Sequence, residues 1–211
     1  METKNIQVKF IAEAENLTET QLIQRLTEDG NSESISCVNW QEYSYKPEVS
    51  LHLAHSEKSL IVLFKVAEEH VLGSVLNNNG PVWEDSCVET FIQDPINEGY
   101  YNVEVNCIGT KLAAHRLSRT EFEHFNEEKL AEIRCYNSLE HKPISLENKE
   151  WTLLEIIPFN ILGLDKAPEY LNANFYKCGD TCKTAHYLSW SPIELPNPDF
   201  HCPNFFGKLT F

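Results

Sequence analysis

At 211 residues, 42% hydrophobic and 11% aromatic, the chain is long and apolar enough for one large all-β domain with a filled core, and it is not disordered. Its 32 acidic side chains against 17 basic ones leave a formal charge of −15, which argues against nucleic acid and against an anionic membrane surface, since both need clustered Lys and Arg. No apolar run approaches the ~20 residues of a membrane span, and the N-terminus lacks a leader pattern, so the chain reads as cytoplasmic as written and extracytoplasmic if a leader has been removed.

Ile6, Val8 and Phe10 alternate as a short strand or extended arm. Thr18 and Gln21 have capping-box spacing, and Leu22, Ile23 and Leu26 follow at helical spacing to Gly30, so a short packing helix is expected over about 18–28. Residues 1–34 therefore read as an arm and helix leading into a β-rich remainder. Residues 35–40 read as a strand, and 49–55 and 59–66 as a hairpin turning at Ser56-Glu57-Lys58. Val49, Leu51 and Leu53 alternate with Ser50, His52 and Ala54, so one face of the first arm is buried. The second arm is almost continuously apolar, the mark of a central strand covered on both faces. His52 and His55 fall on opposite faces and read as surface or turn residues.

Residues 80–95 are chemically the richest stretch. After the turn signal Asn77-Asn78-Asn79-Gly80-Pro81, a strand pattern puts Cys87, Glu89 and Phe91 on one face and Val88, Thr90 and Ile92 on the other. Trp83 stands at its mouth beside Glu84 and Asp85, and an aromatic plate next to carboxylates suits sugars: C–H faces stack on the ring while hydroxyls donate to the oxygens. A core tryptophan with an edge-strand glutamate in a salt bridge fits the same pattern. Beyond a turn at Asn97-Glu98-Gly99, Tyr101, Val103, Val105 and Cys107 should face the core, with Asn102, Glu104 and Asn106 lining solvent or a polar groove. Residues 111–119 carry Arg116, the basic residue best placed to meet that acidic face, and 120–128 read as a charged loop or short helical turn. Strands are expected over 131–136 and 150–157, then a helical turn from Pro158 closed by Gly163. Further strands are expected over 170–177 (Leu171, Ala173 and Phe175 on one side, Asn172, Asn174 and Tyr176 on the other), 185–190 and 205–211. The count, nine to eleven short strands, fits an antiparallel β-sandwich of jelly-roll or immunoglobulin-like type with one or two short helices, in one domain over 1–211.

The seven cysteines are an odd number and read as free buried thiols. Cys178 and Cys182 are separated by three residues, Gly-Asp-Thr, not the two of a zinc knuckle or redox pair, and read as an incidental loop pair.

The run Trp83-Glu84-Asp85-Ser86-Cys87-Val88-Glu89-Thr90-Phe91-Ile92, then Val105-Asn106, Leu188-Ser189-Trp190-Ser191 and Phe206-Gly207-x-Leu209, resembles family 9 carbohydrate-binding modules, within the wider DOMON-like sandwiches, over residues 35–211. The resemblance implies a non-catalytic protein that holds a mono- or oligosaccharide unit, at a reducing end, between two tryptophans. By motif position the plates would be Trp83 and Trp190, and the hydrogen-bonding groups Glu89, Asn106, Asn172 and Asn174. Where sugar binders of this family carry a basic residue two positions before the strand asparagine, this chain has Glu104, and Arg116 would supply the missing charge. Such modules usually ride on secreted xylan-degrading enzymes. The resemblance allows a structural calcium ion, although no EF-hand loop is present. Haem, which DOMON-like relatives carry through a Met–His pair, is not expected, because Met1 is the only methionine; no cofactor is expected. Two alternatives stand beside sugar binding. One is a degenerate sandwich acting as a protein-interaction module. The other is a glycoside hydrolase using two of Glu84, Asp85, Glu89 and Glu104, against which stands the absence of any recognised catalytic motif.

Overall fold

The structure, a computed structural model, describes residues 4–211. The elements in chain order are β1 (Asn5–Gln7), β2 (Lys9–Phe10), α1 (Glu19–Asp29), β3 (Asn31–Ser34), β4 (Cys37–Val38), β5 (Glu48–His55), β6 (Ser59–Gly73), β7 (Cys87–Gln93), β8 (Tyr100–Asn106), β9 (Lys111–Arg116) and β10 (Phe122–His124). They continue with α2 (Glu127–Glu132), β11 (Arg134–Asn137), β12 (Ile144–Pro158), β13 (Tyr170–Cys178), β14 (Tyr187–Ser189) and β15 (Gly207–Thr210).

Two sheets result. One runs β1-β15-β13-β7-β8-β9-β10, with β14 also on β13 and β4 on β14; the other runs β11-β12-β6-β5-β2, with β3 also on β5. This is the expected all-β sandwich. Nearly all pairings are antiparallel, but β1 lies parallel to β15 and β2 parallel to β5. The alternating residues interdigitate between the sheets: Val49, Leu51 and Leu53 of β5, Leu60, Val62, Phe64 and Val66 of β6, Val88 and Ile92 of β7, Val103 and Val105 of β8, and Leu171, Ala173 and Phe175 of β13 share one core. Each such Val, Leu, Ile or Phe side chain, fully buried, contributes roughly 1.5–3 kcal/mol of transfer free energy.

The outer faces are covered as well, and this is where the structure departs from the reading of single strands. Helix α1, capped by Thr18 and Gln21 in a reciprocal capping box, lays Leu22 and Leu26 on Ala54, Ile61, Leu63, Leu154 and Ile156. His52 and His55 are consequently buried rather than on the surface; His55 packs between the rings of Phe10 and Phe211. The strand expected over 35–40 shrinks to Cys37–Val38. The charged segment 120–128 supplies β10 and the start of α2, and α2 delays the next strand from 131 to Arg134. Strands β6 and β12 extend to Gly73 and back to Ile144, pairing as one long ribbon. Gly163 closes the 159–162 turn at φ +75°, a backbone region that costs other residues energy. No helix among the described residues is long and apolar enough to cross a membrane.

The outer face of the sheet containing β7, β8 and β13 carries Cys87, Glu89 and Phe91, then Asn102, Glu104 and Asn106, then Asn174, Tyr176 and Cys178. It is roofed by an aromatic cluster of Trp40, Phe91, Tyr100, Tyr176 and Phe206, against which Tyr187 and Phe200 pack. None of these polar strand residues is solvated; all are buried.

Candidate functional site

A cleft of about 330 Å³ opens through that roof. Its floor is built by strand register. Glu89 of β7 stands directly opposite Glu104 of β8, so alternation brings two carboxyl groups side by side on the outer face. Cys178, at the end of β13, donates its thiol to Glu89 Oε1 at 3.1 Å. Burial comes first among the causes that hold the Glu89 carboxyl well above the usual range, with Cys178, Glu104 and Asp180 adding to it. Burial likewise raises Glu104, against the pull of a hydrogen bond from Asn102 and of the Arg116 charge. Burial thus shifts both carboxyls toward the neutral form, Glu104 to about 7, and a protonated carboxyl both donates and accepts.

One wall is basic and aromatic. Arg116 Nε donates to Asn102 Oδ1 at 2.7 Å, and Asn102 Nδ2 donates to Glu104 Oε1 at 2.8 Å, so the guanidinium is tied to the acidic floor through an amide. The same guanidinium lies 4.2 Å from the Phe122 ring centroid and donates to the Arg119 carbonyl. The Pro198–His201 stretch closes the cleft. There Phe200 stacks flat on Tyr176 (4.1 Å, 5°), and His201 shares a hydrogen bond with the Tyr100 hydroxyl. Burial and Arg116 pull His201 down to about 4, so it is neutral. Across from these, Trp83 stands 38% exposed on a short 3-10 turn, Val82–Glu84.

Of the seven residues singled out from sequence, Trp83, Glu89 and Arg116 meet in this cleft. The other four do not. Trp190 is fully buried in the inter-sheet core, edge-on to Phe175, with its indole N–H donated to Glu33 Oε2 at 3.2 Å; it is a core residue and not a second plate. Asn106 donates to Asp85 Oδ2 and the Val75 carbonyl and accepts from Thr110 N–H. Asp85, in turn, accepts from the backbone of Ser74 and Val75, so this pair locks the 74–86 connection instead of meeting a ligand. Asn174 is consumed by the backbones of Phe175 and Ser191. Asn172, half-buried, points its amide at Gln93. The cleft residues missed from sequence are chiefly Tyr187, Phe200 and His201. Pro198-Asp199-Phe200-His201 sits in a run whose prolines marked only a loop, and an aromatic within such a run was the available signal.

A two-sheet sandwich with an aromatic-walled, carboxyl-floored cleft on one outer face is the layout of a β-sandwich binding module. The family model described as carbohydrate-binding family 9 matches residues 21–211. The chain belongs to that family, whose members are non-catalytic binding modules, and this supports a sugar-binding role. Among solved structures, a protein of Bacteroides uniformis ATCC 8492, provisionally described as carbohydrate-binding, superimposes with a TM-score of 0.94 at 34% identity, covering 100% of both chains. A family 9 carbohydrate-binding module from Caldicellulosiruptor kristjanssonii, in complex with glucose, matches at TM-score 0.62 and 14% identity, covering 98% of this chain and 95% of the other. The cellotriose complex of a family 9 module from the same organism gives 0.60 and 14%, covering 98% and 93%. Comparison with curated proteins returns no match.

Proposed function

We propose that the protein binds a sugar unit without turning it over, in the cleft between Trp83 and the Tyr187–Phe200 wall, with Glu89, Glu104 and Arg116 reading its hydroxyls. The observation that carries this reading is Trp83. Trp40, Trp151 and Trp190 are buried at 5%, 1% and 0% exposure, so Trp83 alone offers an indole face, and it offers it on the rim of a carboxyl floor. Stacking on one indole plus a few charge-assisted or neutral-acid hydrogen bonds gives affinities on the order of micromolar to millimolar. The glucose and cellotriose held by the two family 9 structures support a glucose-type unit as the first ligand to try. A single terminal unit, as in a reducing-end slot, is the reading the sugar titration tests.

The test is tryptophan fluorescence and calorimetry during titration with glucose, xylose, cellobiose and cellotriose, each beside its alditol. Saturable binding, abolished in Trp83→Ala with the fold intact and weakened in the alditols, is expected. Binding that survives Trp83→Ala would move the sugar elsewhere; no binding by any sugar would favour the protein-interaction reading. The side-by-side placement of Glu89 and Glu104 in the cleft is what would favour one second reading, glycoside hydrolysis, a reaction that uses two carboxyl groups. Turnover of chromogenic glycosides, lost in Glu89→Gln, is the result that would establish it.

A further inference from the structure

We propose that Cys87, Glu89 and Cys178 form a binding site for a thiophilic divalent cation of the zinc class, with its fourth coordination position open to the cleft. This goes beyond sugar recognition and stands without it.

Sheet register builds the site. Cys178 of β13 pairs directly with Cys87 of β7, and Glu89 lies two residues along β7 on the same face. The Sγ atoms of both cysteines and a carboxylate oxygen of Glu89 all lie within 4.8 Å of one another. Two sulfurs at the ~2.3 Å of a zinc–thiolate bond stand roughly 3.8 Å apart in a tetrahedron, so sub-ångström rotamer adjustments close the set. All seven cysteines are unpaired, and the Cys178 thiol already points at the Glu89 carboxyl, Sγ to Oε1 3.1 Å. The sequence directs attention to Cys178 and Cys182, but the sheet partners Cys178 with a residue 91 positions away.

The surroundings suit a cation of this kind. Val82 and Leu112 pack with the two cysteines, an apolar flank on one side of the trio. The groups that act on Glu89 are Cys178, Glu104 and Asp180, while the buried Lys177 ammonium, which lies 2.8 Å from the Cys178 carbonyl, is paired with Glu68. A divalent cation would offset the mutual repulsion of a carboxylate and such acidic neighbours. Two of three donors are sulfur, which selects zinc-like metals over calcium or magnesium. Glu89 and Cys178 both line the cleft, so the unfilled tetrahedral corner faces it, available to water or to a ligand oxygen.

The experiment uses the full chain, fully reduced and stripped with chelator, incubated with Co²⁺ or Zn²⁺ alone and no sugar. Expected are one tightly held equivalent per chain after gel filtration, a thiolate-to-cobalt charge-transfer band in the near ultraviolet, and a rise in Tm with Zn²⁺. The band should vanish in Cys87→Ser and in Cys178→Ser, weaken in Glu89→Gln, and persist in Cys182→Ser. Wild-type protein that holds no metal, or shows no thiolate band, overturns the proposal whatever the variants do; so does a band that survives in the Cys87→Ser/Cys178→Ser double variant. Because no sugar is present, this outcome is separate from that of the sugar titration.

Discussion

At the scale of single residues, the alternation of polar and apolar positions was legible from sequence, but the cover above each polar position was not. Glu89, Asn102, Glu104, Asn106 and Asn174 do lie on the face opposite the core, as alternation requires. Each is nonetheless buried, because the 74–86 and 191–206 segments fold back over that face. Asn106 is thereby spent on Asp85 and on backbone groups and Asn174 on backbone groups, whereas Glu89 and Glu104 remain at an opening. Glu155 shows the other limit. It projects from β12 into the inter-sheet core, accepting from the Thr90 hydroxyl at 2.7 Å, with its second oxygen unpartnered. Burial, against that hydrogen bond, pushes its carboxyl from 4.5 up to about 8. The folded chain thus keeps a proton that the unfolded chain releases above about pH 4.5, so Glu155 makes stability fall as pH rises toward 8, by up to ~1.4 kcal/mol per pH unit. Glu155→Gln keeps the Thr90 hydrogen bond and removes the titration. The variant should match wild type near pH 4.5 and exceed it at pH 8 in urea unfolding. Parallel stability profiles for the two proteins across that range would show that Glu155 is not the titrating group.

At the scale of elements, two motifs that resembled a sugar slot turn out to be one packing unit. The Leu188-Ser189-Trp190-Ser191 segment ends β14 and sends the Trp190 ring into the core, and Gly207 opens β15 beneath it. A Cβ built on Gly207 would fall inside the contact distance of the Trp190 six-membered ring and 2.7 Å from the Lys4 carbonyl. Glycine is required there by close approach, not by backbone conformation. Sequence could show that tryptophan and glycine recur in a family order; it could not show that one sits on the other, because their contact crosses from a loop to a strand. Gly207→Ala should therefore destabilise the fold by about 1–3 kcal/mol, as overpacked cores do. Trp190→Ala, which leaves a cavity, should cost about 3–5 kcal/mol. Sugar affinity of the folded protein should be unchanged in both, in contrast with Trp83→Ala. Equilibrium unfolding together with sugar titration of each variant reads both quantities. A Gly207→Ala protein as stable as wild type would mean the indole does not occupy that seat.

At the scale of the whole molecule, the segment that looked most peripheral joins the two sheets. Residues 1–34 read as an arm and helix, and the family match begins only at residue 21. Yet β1 adds a parallel strand to β15 in one sheet, and β2, one residue further on, adds to β5 in the other. Ile6 and Val8 enter the inter-sheet core while Ile11 joins the cluster under α1, so residues 5–11 stitch together both sheets and both apolar layers. Parallel pairing by two- and three-residue strands carries almost no periodic signal, which is why alternation at Ile6, Val8 and Phe10 suggested a strand without revealing its partners. Deleting residues 1–12 should remove three buried aliphatic side chains, each contributing roughly 1.5–3 kcal/mol, and expose the free edge of β15. The truncated chain should melt well below wild type and self-associate through that edge, measured by thermal unfolding and light scattering. Its cleft, formed by β7, β8, β9 and β13 and the loops over them, should keep wild-type sugar affinity in the fraction that folds. A truncation that stayed monomeric at wild-type Tm would reduce the arm to decoration; lost affinity in a well-folded truncation would instead tie the arm to the shape of the cleft.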